Sequence, residues 1–193
     1  ITIQSLLTDF TLLDLRELID KGATISREYQ IGADYYKFTI LGLTALGFGQ
    51  AYGSDITDLK DTQENLKNSE QFLRTVIDTD PNLIFVKDGQ CRFTLVNEAV
   101  AKMYGSTTGE LIGKSDESFN SHSDEVKWFH NDDMRVIEQH RDVFIPQERI
   151  TDAQGKEHWL QTYKRPIKLP HSEETHVLGV ATDITENKLL QSQ

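Results

Sequence analysis

The side chains able to do chemistry are few and scattered. The densest group is "HSEETH", which holds His171, Glu173, Glu174 and His176. Imidazole and carboxylate at this spacing could bind zinc. The segment is polar and turn-like, though, and such turns arise without any metal; an exposed turn also lacks the outer hydrogen bonds that orient ligands. Asp132 and Asp133 form a second acidic pair. Neighbours on a helix point about 100° apart, so these carboxylates do not converge on one substrate. Cys91 is the single cysteine, which excludes an internal disulfide and a cysteine-based zinc cluster. There is no Gly-rich phosphate loop and no nucleophile elbow. No catalytic residue and no metal site is expected.

Bulk properties narrow the class further. The 193 residues carry a formal charge of −11. Nucleic acid and anionic membrane surfaces both attract clustered Lys and Arg, so neither is an expected partner. No apolar run approaches the roughly 20 residues of a membrane span. No signal peptide is visible, and the chain opens on Ile rather than Met, which reads as a segment of a longer protein. A single cysteine fits a reducing cytoplasm, the expected location.

The elements that must position these residues follow from pattern. Leu6–Lys21 has apolar residues at helical spacing and ends at Gly22. "ATISREYQI", "YYKFTILGL" and "LGFGQAYGSDI" read as strands, the first two separated by a Gly32–Asp34 turn. Asp58–Asp78 lacks Pro and Gly and predicts a helix, with Thr57 as its N-cap. Leu59, Leu66 and Leu73 are seven apart, the seam of a short coiled coil. A solvated linker helix with one apolar stripe has the same spacing. "NLIFV" and "RFTLV" flank Asp88-Gly89 as a hairpin. Asn97 N-caps one helix, and Thr107 with Glu110 has capping-box spacing for another. Ser123–His140 is a longer helix. Three strands follow, "DVFIPQERIT", "KEHWLQTYKRPIKL" and "THVLGVATDI", the first pair joined at Asp152–Gly155. The tail from Thr185 is helical again. Strands with helices inserted between them predict an α+β fold with one antiparallel sheet and helices on one face.

One phrase occurs twice, "YGSDITDLK" at Tyr52–Lys60 and "VATDITENK" at Val180–Lys188. Each copy follows three strand-like segments and precedes a polar helix, and the copies lie about one domain length apart.

The second half contains, in order, "DTDPNLIFVKD" (Asp78–Asp88), "RFTLVNEAVAKMYG" (Arg92–Gly105) and "ELIGKSD" (Glu110–Asp116). It continues with "DDMRVIEQ" (Asp132–Gln139), "WLQTYKRPI" (Trp159–Ile167) and "VLGVATDITENK" (Val177–Lys188). With these stretches in this order it resembles the PAS domain family, of the bacterial sensor type. The resemblance implies a five-stranded antiparallel sheet with linker helices at both ends. Residues 79–185 would be a complete domain and 58–78 a helical linker. Residues 1–57 would be the C-terminal half of a second such domain, and 186–193 the start of an exit helix. A half-domain exposes strand edges and an apolar face, which a second copy of the chain would cover unless the region is poorly ordered.

The resemblance also implies function. Members are sensory or dimerisation modules of larger signalling proteins, most often a histidine kinase or a cyclic-dinucleotide enzyme. The output domain would lie outside this chain. The light-sensing branch needs a reactive cysteine in the helical region, whereas Cys91 falls at the first hairpin turn. The haem branch uses a histidine of the long helix, where Trp128 rather than His130 or His140 takes the corresponding place. Neither flavin nor haem is expected. A pocket between sheet and helices would be walled by Phe85, Phe93, Val100, Met103, Tyr104, Leu111, Ile112, Phe129, Ile137, Phe144, Tyr163 and Val180. Asn97, Arg149 and Gln161 would be its polar contacts; the same side chains could simply fill a core. Asp55, Thr57, Asp183 and Thr185 would be signal connectors, each pair orienting the helix that follows it. Expected partners are a second copy of the chain, through the linker helices and sheet surfaces, and the parent's output domain. A ligand-free dimerisation scaffold is the alternative function.

Overall fold

The computed structural model describes residues 12–170 and 172–191. The predicted helix start at Leu6–Thr11, the candidate ligand His171 and the last two residues lie outside them. The chain divides into two units between Glu70 and Gln71.

In the first unit, helix α1 (Leu12–Lys21) precedes strands β1 (Thr24–Ile31), β2 (Asp34–Leu43) and β3 (Phe48–Asp55). The sheet has the order β1-β2-β3 with antiparallel pairing. Ile31 pairs with Asp34 across a two-residue turn in which Gly32 has φ +67°. Gly42 lets α1 approach: a Cβ there would stand 2.1 Å from the Leu18 carbonyl oxygen. Leu18 and Ile40 are the buried apolar pair under this helix, with Ile25 against them. Every residue of β3 is exposed, Phe48 and Tyr52 among them. Among the described residues of this unit only Leu18, Thr39, Ile40 and Gly42 are buried.

Helix α2 (Thr57–Thr79) runs across the boundary and buries no residue. Leu59, Leu66 and Leu73 are all more than half exposed, and Phe72 and Val76 are exposed beside them.

The second unit contains β4 (Leu83–Lys87), β5 (Phe93–Val96), α3 (Glu98–Met103), α4 (Thr108–Leu111), α5 (Ser123–Gln139), β6 (Val143–Thr151), β7 (Glu157–Lys168), β8 (Thr175–Asp183) and α6 (Thr185–Gln191). Its five strands have the order β5-β4-β8-β7-β6, all antiparallel. The predicted caps are present. Asn97 accepts the Val100 N–H, and Thr107 with Glu110 forms the reciprocal capping box. Gly155 takes φ +81° in the β6–β7 turn. The β4–β5 connection differs from the simple Asp-Gly turn: Cys91, not Gly89, takes the left-handed conformation (φ +58°), and the Asp88 carboxylate accepts the Gln90 and Arg92 N–H groups.

One core lies between this sheet and α3, α4 and α5. It is built on Leu83, Phe93, Val96, Val100, Leu111, Phe129, Ile150 and Leu160. All helices contribute to the same cluster, so they cover one face, as the alternation of the strands requires. Gly179 is needed in β8 because a Cβ there would meet the Phe85 ring at 2.1 Å. A bulge between Ile145 and Glu148 shifts the register of β6, an edge strand that tolerates Pro146.

Candidate functional site

Alternation places Leu83, Phe85 and Lys87 of β4, and Leu160, Thr162 and Lys164 of β7, on the covered face. Two lysines therefore enter an apolar core, 1% and 2% exposed. Burying an ammonium is costly unless it is paired. Lys87 Nζ lies 2.5 Å from Asp116 Oδ2 and 2.7 Å from Asp133 Oδ2, and Lys164 Nζ lies 2.7 Å from Asp133 Oδ1. Lys164 also donates to the Phe129 carbonyl, and Tyr104 donates its hydroxyl to Asp116 Oδ1 at 2.8 Å. The fully buried Asp133 of α5 thus bridges two cations from two strands.

These contacts set the ionisation. Burial would favour neutral Lys87, but Asp116 and Asp133 outweigh it and hold its pKa above the ordinary value. Burial likewise opposes a charged Asp133, and the two lysines overcome it and lower its pKa. Burial beside Asp116 keeps the Tyr104 hydroxyl protonated, far above its usual range. Burial also raises Glu148, against the pull of Lys164 and Thr162. Glu148 Oε2 accepts the Thr162 hydroxyl at 2.7 Å, while Oε1 is buried without a hydrogen-bond partner among the described residues.

A cavity of about 30 Å³ lies against this network. Lys87, Tyr104, Asp116, Glu148 and Lys164 form its polar side; Leu83, Phe85, Phe93, Val100, Phe129, Ile150, Leu160 and Ala181 form the rest. It has room for about one or two water-sized groups. Asp116 and Glu148 each also line an outer cleft. One of about 590 Å³ runs past Cys91 and His130, and one of about 440 Å³ lies between Trp128 and Trp159.

Among the residues expected to wall a pocket, Phe85, Phe93, Val100, Tyr104 and Phe129 line this cavity. Met103 packs on the core beside it, as does the fully buried Leu111. The others stand elsewhere. Phe144 and Tyr163 stack on each other, ring centroids 4.4 Å apart, on the opposite, exposed face of the sheet. Val180 shares that face, since its neighbours Gly179 and Ala181 point inward. Ile137 packs against Val136, Val143 and Val177, a separate cluster, and Ile112 is exposed. Asn97 is fully buried but committed: it accepts from Ile84 and Val100 and donates to the carbonyls of Ile77 and Asn82. Arg149 pairs with Glu157 and approaches Glu125, and Gln161 is half-buried on the outer side of β7. The acidic pair separates as expected, with Asp132 on Arg135 and Asp133 in the core.

Other chemical candidates disperse. His130 and His140 are exposed on or after α5. Glu174 accepts from Gln90, and His176 Nδ1 meets the Glu174 carbonyl. Among the described residues no group of three His, Cys, Asp or Glu is placed to hold a metal. Burial raises the Cys91 thiol to about 11, which makes it a poor nucleophile. No described helix is long and apolar enough to cross a membrane.

The repeated phrase builds the same joint twice. Asp55 Oδ1 accepts the Thr57 N–H at 2.9 Å and its hydroxyl at 2.6 Å. Asp183 Oδ1 accepts the Thr185 N–H at 2.8 Å and its hydroxyl at 2.5 Å. Each threonine oxygen then accepts a strand amide, Tyr35 at 2.9 Å and Trp159 at 2.8 Å. The isoleucine between donates its N–H to the carbonyl of that same strand residue. Thr57 is therefore not the N-cap. Ile56 holds that position, its carbonyl accepting from Lys60, and Ile184 does so for Lys188. The hydroxyl extends the sheet ladder, while the aspartate satisfies the first helical N–H. The Thr57 contacts lower the pKa of Asp55; burial opposes a charged Asp183, and the contacts of Thr185 and His158 outweigh it. His158 lies between two carboxylates, Nδ1 2.7 Å from Asp183 and Nε2 3.1 Å from Asp152. Lys188 sits 3.1 Å from the Trp159 ring centroid and donates to Gln147 at 2.9 Å.

Sequence reasoning missed Lys87, Asp116, Glu148 and Lys164. One signal was available: "LIFVK" and "LQTYK" place lysine at the inward position of strands whose other inward residues are apolar or small.

The chain is similar to several known proteins. It is 26% identical over 130 residues to the methanogenesis regulatory histidine kinase FilI of Methanothrix harundinacea, which covers 67% of this chain and 14% of that relative. The VqmA dimer of Vibrio cholerae matches with a TM-score of 0.54 at 20% identity, over 61% of this chain and 52% of that one. The PAS domain of Bordetella pertussis BvgS matches with a TM-score of 0.50 at 24% identity, over 65% and 93%. The PAS fold family matches residues 77–189, more than half of the sequence and all five strands of the second unit. The chain belongs to the PAS fold family.

Proposed function

We propose that this chain is the sensory region of a larger signalling protein, a histidine kinase by its similarity to FilI, with the catalytic output elsewhere in the parent. The second unit is the sensor, and its buried cavity receives a small molecule. The first unit is the C-terminal half of a second PAS-like domain. Helix α2 and the exit helix α6 carry the response, each held to its sheet by the Asp-Ile-Thr joint. A second copy of the chain pairs along the exposed Leu59, Leu66 and Leu73 stripe of α2 and covers exposed sheet surface. The region works in the cytoplasm.

The observation that carries this reading is strand β7. It holds Lys164 in the buried network and Trp159 in the joint, five residues apart on one rigid element. A change in the network therefore has a short mechanical route to the exit helix. A joint worth about 1 kcal/mol is weak enough to be biased by a rearrangement of similar size. The test is Asp183→Ala in the intact parent, read as signalling output. Altered regulation supports the reading; unchanged regulation contradicts it.

The cavity's small volume favours a second reading, a ligand-free dimerisation scaffold. Native mass spectrometry of the purified chain separates the two: a dimer that retains no small molecule and responds to none is the scaffold.

A further inference from the structure

The cavity holds one charge that its own residues leave unbalanced. Two ammonium groups, Lys87 and Lys164, face two aspartates, Asp116 and Asp133, and those four compensate each other. Glu148 is the fifth charged group. It is nine-tenths buried, and only one of its oxygens is bonded. Lys164 acts on it electrostatically, but the Lys164 ammonium hydrogen bonds to Asp133 and Phe129. Asp132 and Asp133 add negative charge from α5. An uncompensated buried carboxylate oxygen is costly and calls for a donor.

We propose that the cavity is a binding site for a small protonated amine, with the ammonium donating to Glu148 Oε1. This rests on the sensor reading above and names the class of its ligand. A carboxylate ligand would set a fourth carboxylate beside Asp116, Asp133 and Glu148, against only two ammonium groups. A hydrocarbon would leave Oε1 without a donor. An ammonium balances the charge and completes the hydrogen bonding in one step. The volume of about 30 Å³ restricts the molecule to a few heavy atoms, the size of methylammonium. Glu148 also lines the outer cleft between Trp128 and Trp159, with Asp132 beside it. The next residue back along β6, Gln147, accepts from Lys188 of the exit helix, so a shift of the bulge at Glu148 reaches α6 directly.

The test is a thermal-shift and NMR titration of the purified chain with methylammonium chloride. Tetramethylammonium chloride and sodium acetate at matched ionic strength are the controls. The expected result is a saturable effect for methylammonium alone. Glu148→Gln weakens binding at least about tenfold, the equivalent of about 1.4 kcal/mol, and acidification weakens wild-type binding as the proton competes for Oε1. No methylammonium response, an equal response to tetramethylammonium or acetate, or an unchanged response in the variant overturns the proposal. If the amine fails while Asp183→Ala still alters the parent's output, only the ligand class falls. If both fail, the sensor reading falls too.

Discussion

Thr185 Oγ1 accepts the Trp159 amide at 2.8 Å, so a side chain in the first turn of the exit helix completes the hydrogen-bond ladder of the sheet. Thr57 does the same for Tyr35 in the first unit. Removing the hydroxyl leaves a strand amide without its acceptor and the aspartate without one donor. Thr185→Val is expected to cost about 1–2 kcal/mol and to free the start of α6. Urea unfolding with amide exchange of Trp159 measures both.

Asp133 is the hinge of the buried network, since its two oxygens hold two lysines. Asp133→Ala leaves both ammonium groups buried and half-paired. Breaking a buried pair from one side costs about 3–5 kcal/mol. Calorimetric unfolding should show a loss of that order. An effect below about 1 kcal/mol would mean that water reaches the lysines freely.

The network also sets the pH response. Asp133 has a lowered pKa, so its stabilisation is present above the unfolded carboxylate value and is lost as pH falls through the folded value. Lys87 has a raised pKa, so its contribution is full below the unfolded lysine value and is lost only as alkali passes the folded one. Glu148 has the opposite sign to Asp133. Its raised pKa makes the folded state less favourable as pH rises through the window between the unfolded and folded values. Glu148→Gln should therefore gain stability over the wild type as the pH rises through that window. The difference should shrink toward zero in acid. Melting curves of both proteins across pH check the sign.

The leucine stripe of α2 predicts a separation of effects. Leu66 is 60% exposed, so Leu66→Asp should change the unfolding free energy of the second unit by less than about 0.5 kcal/mol. It should strongly weaken self-association in sedimentation equilibrium. Equal association in the two proteins would remove α2 as the dimer contact.

Much of the fold was legible because local signals agreed with each other. The Asn97 cap, the Thr107–Glu110 box, Gly155 in its turn and the period-two strands are each set by neighbours in sequence. The candidate site was less legible because its partners are distant in sequence. Lys87 meets Asp116 and Asp133 across 29 and 46 residues, and nothing local marks those aspartates for burial. Phe144, Tyr163 and Val180 went to the wrong wall for a different reason. A strand buried on one face and apolar on both gives no clean alternation, and the Ile145–Glu148 bulge shifts β6 by a residue. Asn97 was legible as a helix cap but not as a buried hub, because the backbone carbonyls that accept its side-chain amide, those of Ile77 and Asn82, lie 20 and 15 residues away.

Amide hydrogen exchange at Trp159 and Ile184, compared between the wild-type chain and Asp133→Asn, tests whether the buried network is coupled to the exit joint. Coupling along β7 predicts at least about fivefold faster exchange at both amides in the variant, the equivalent of about 1 kcal/mol, under conditions where the rest of the sheet stays protected. Unchanged exchange at these two amides, with the variant folded and its network altered, would contradict it.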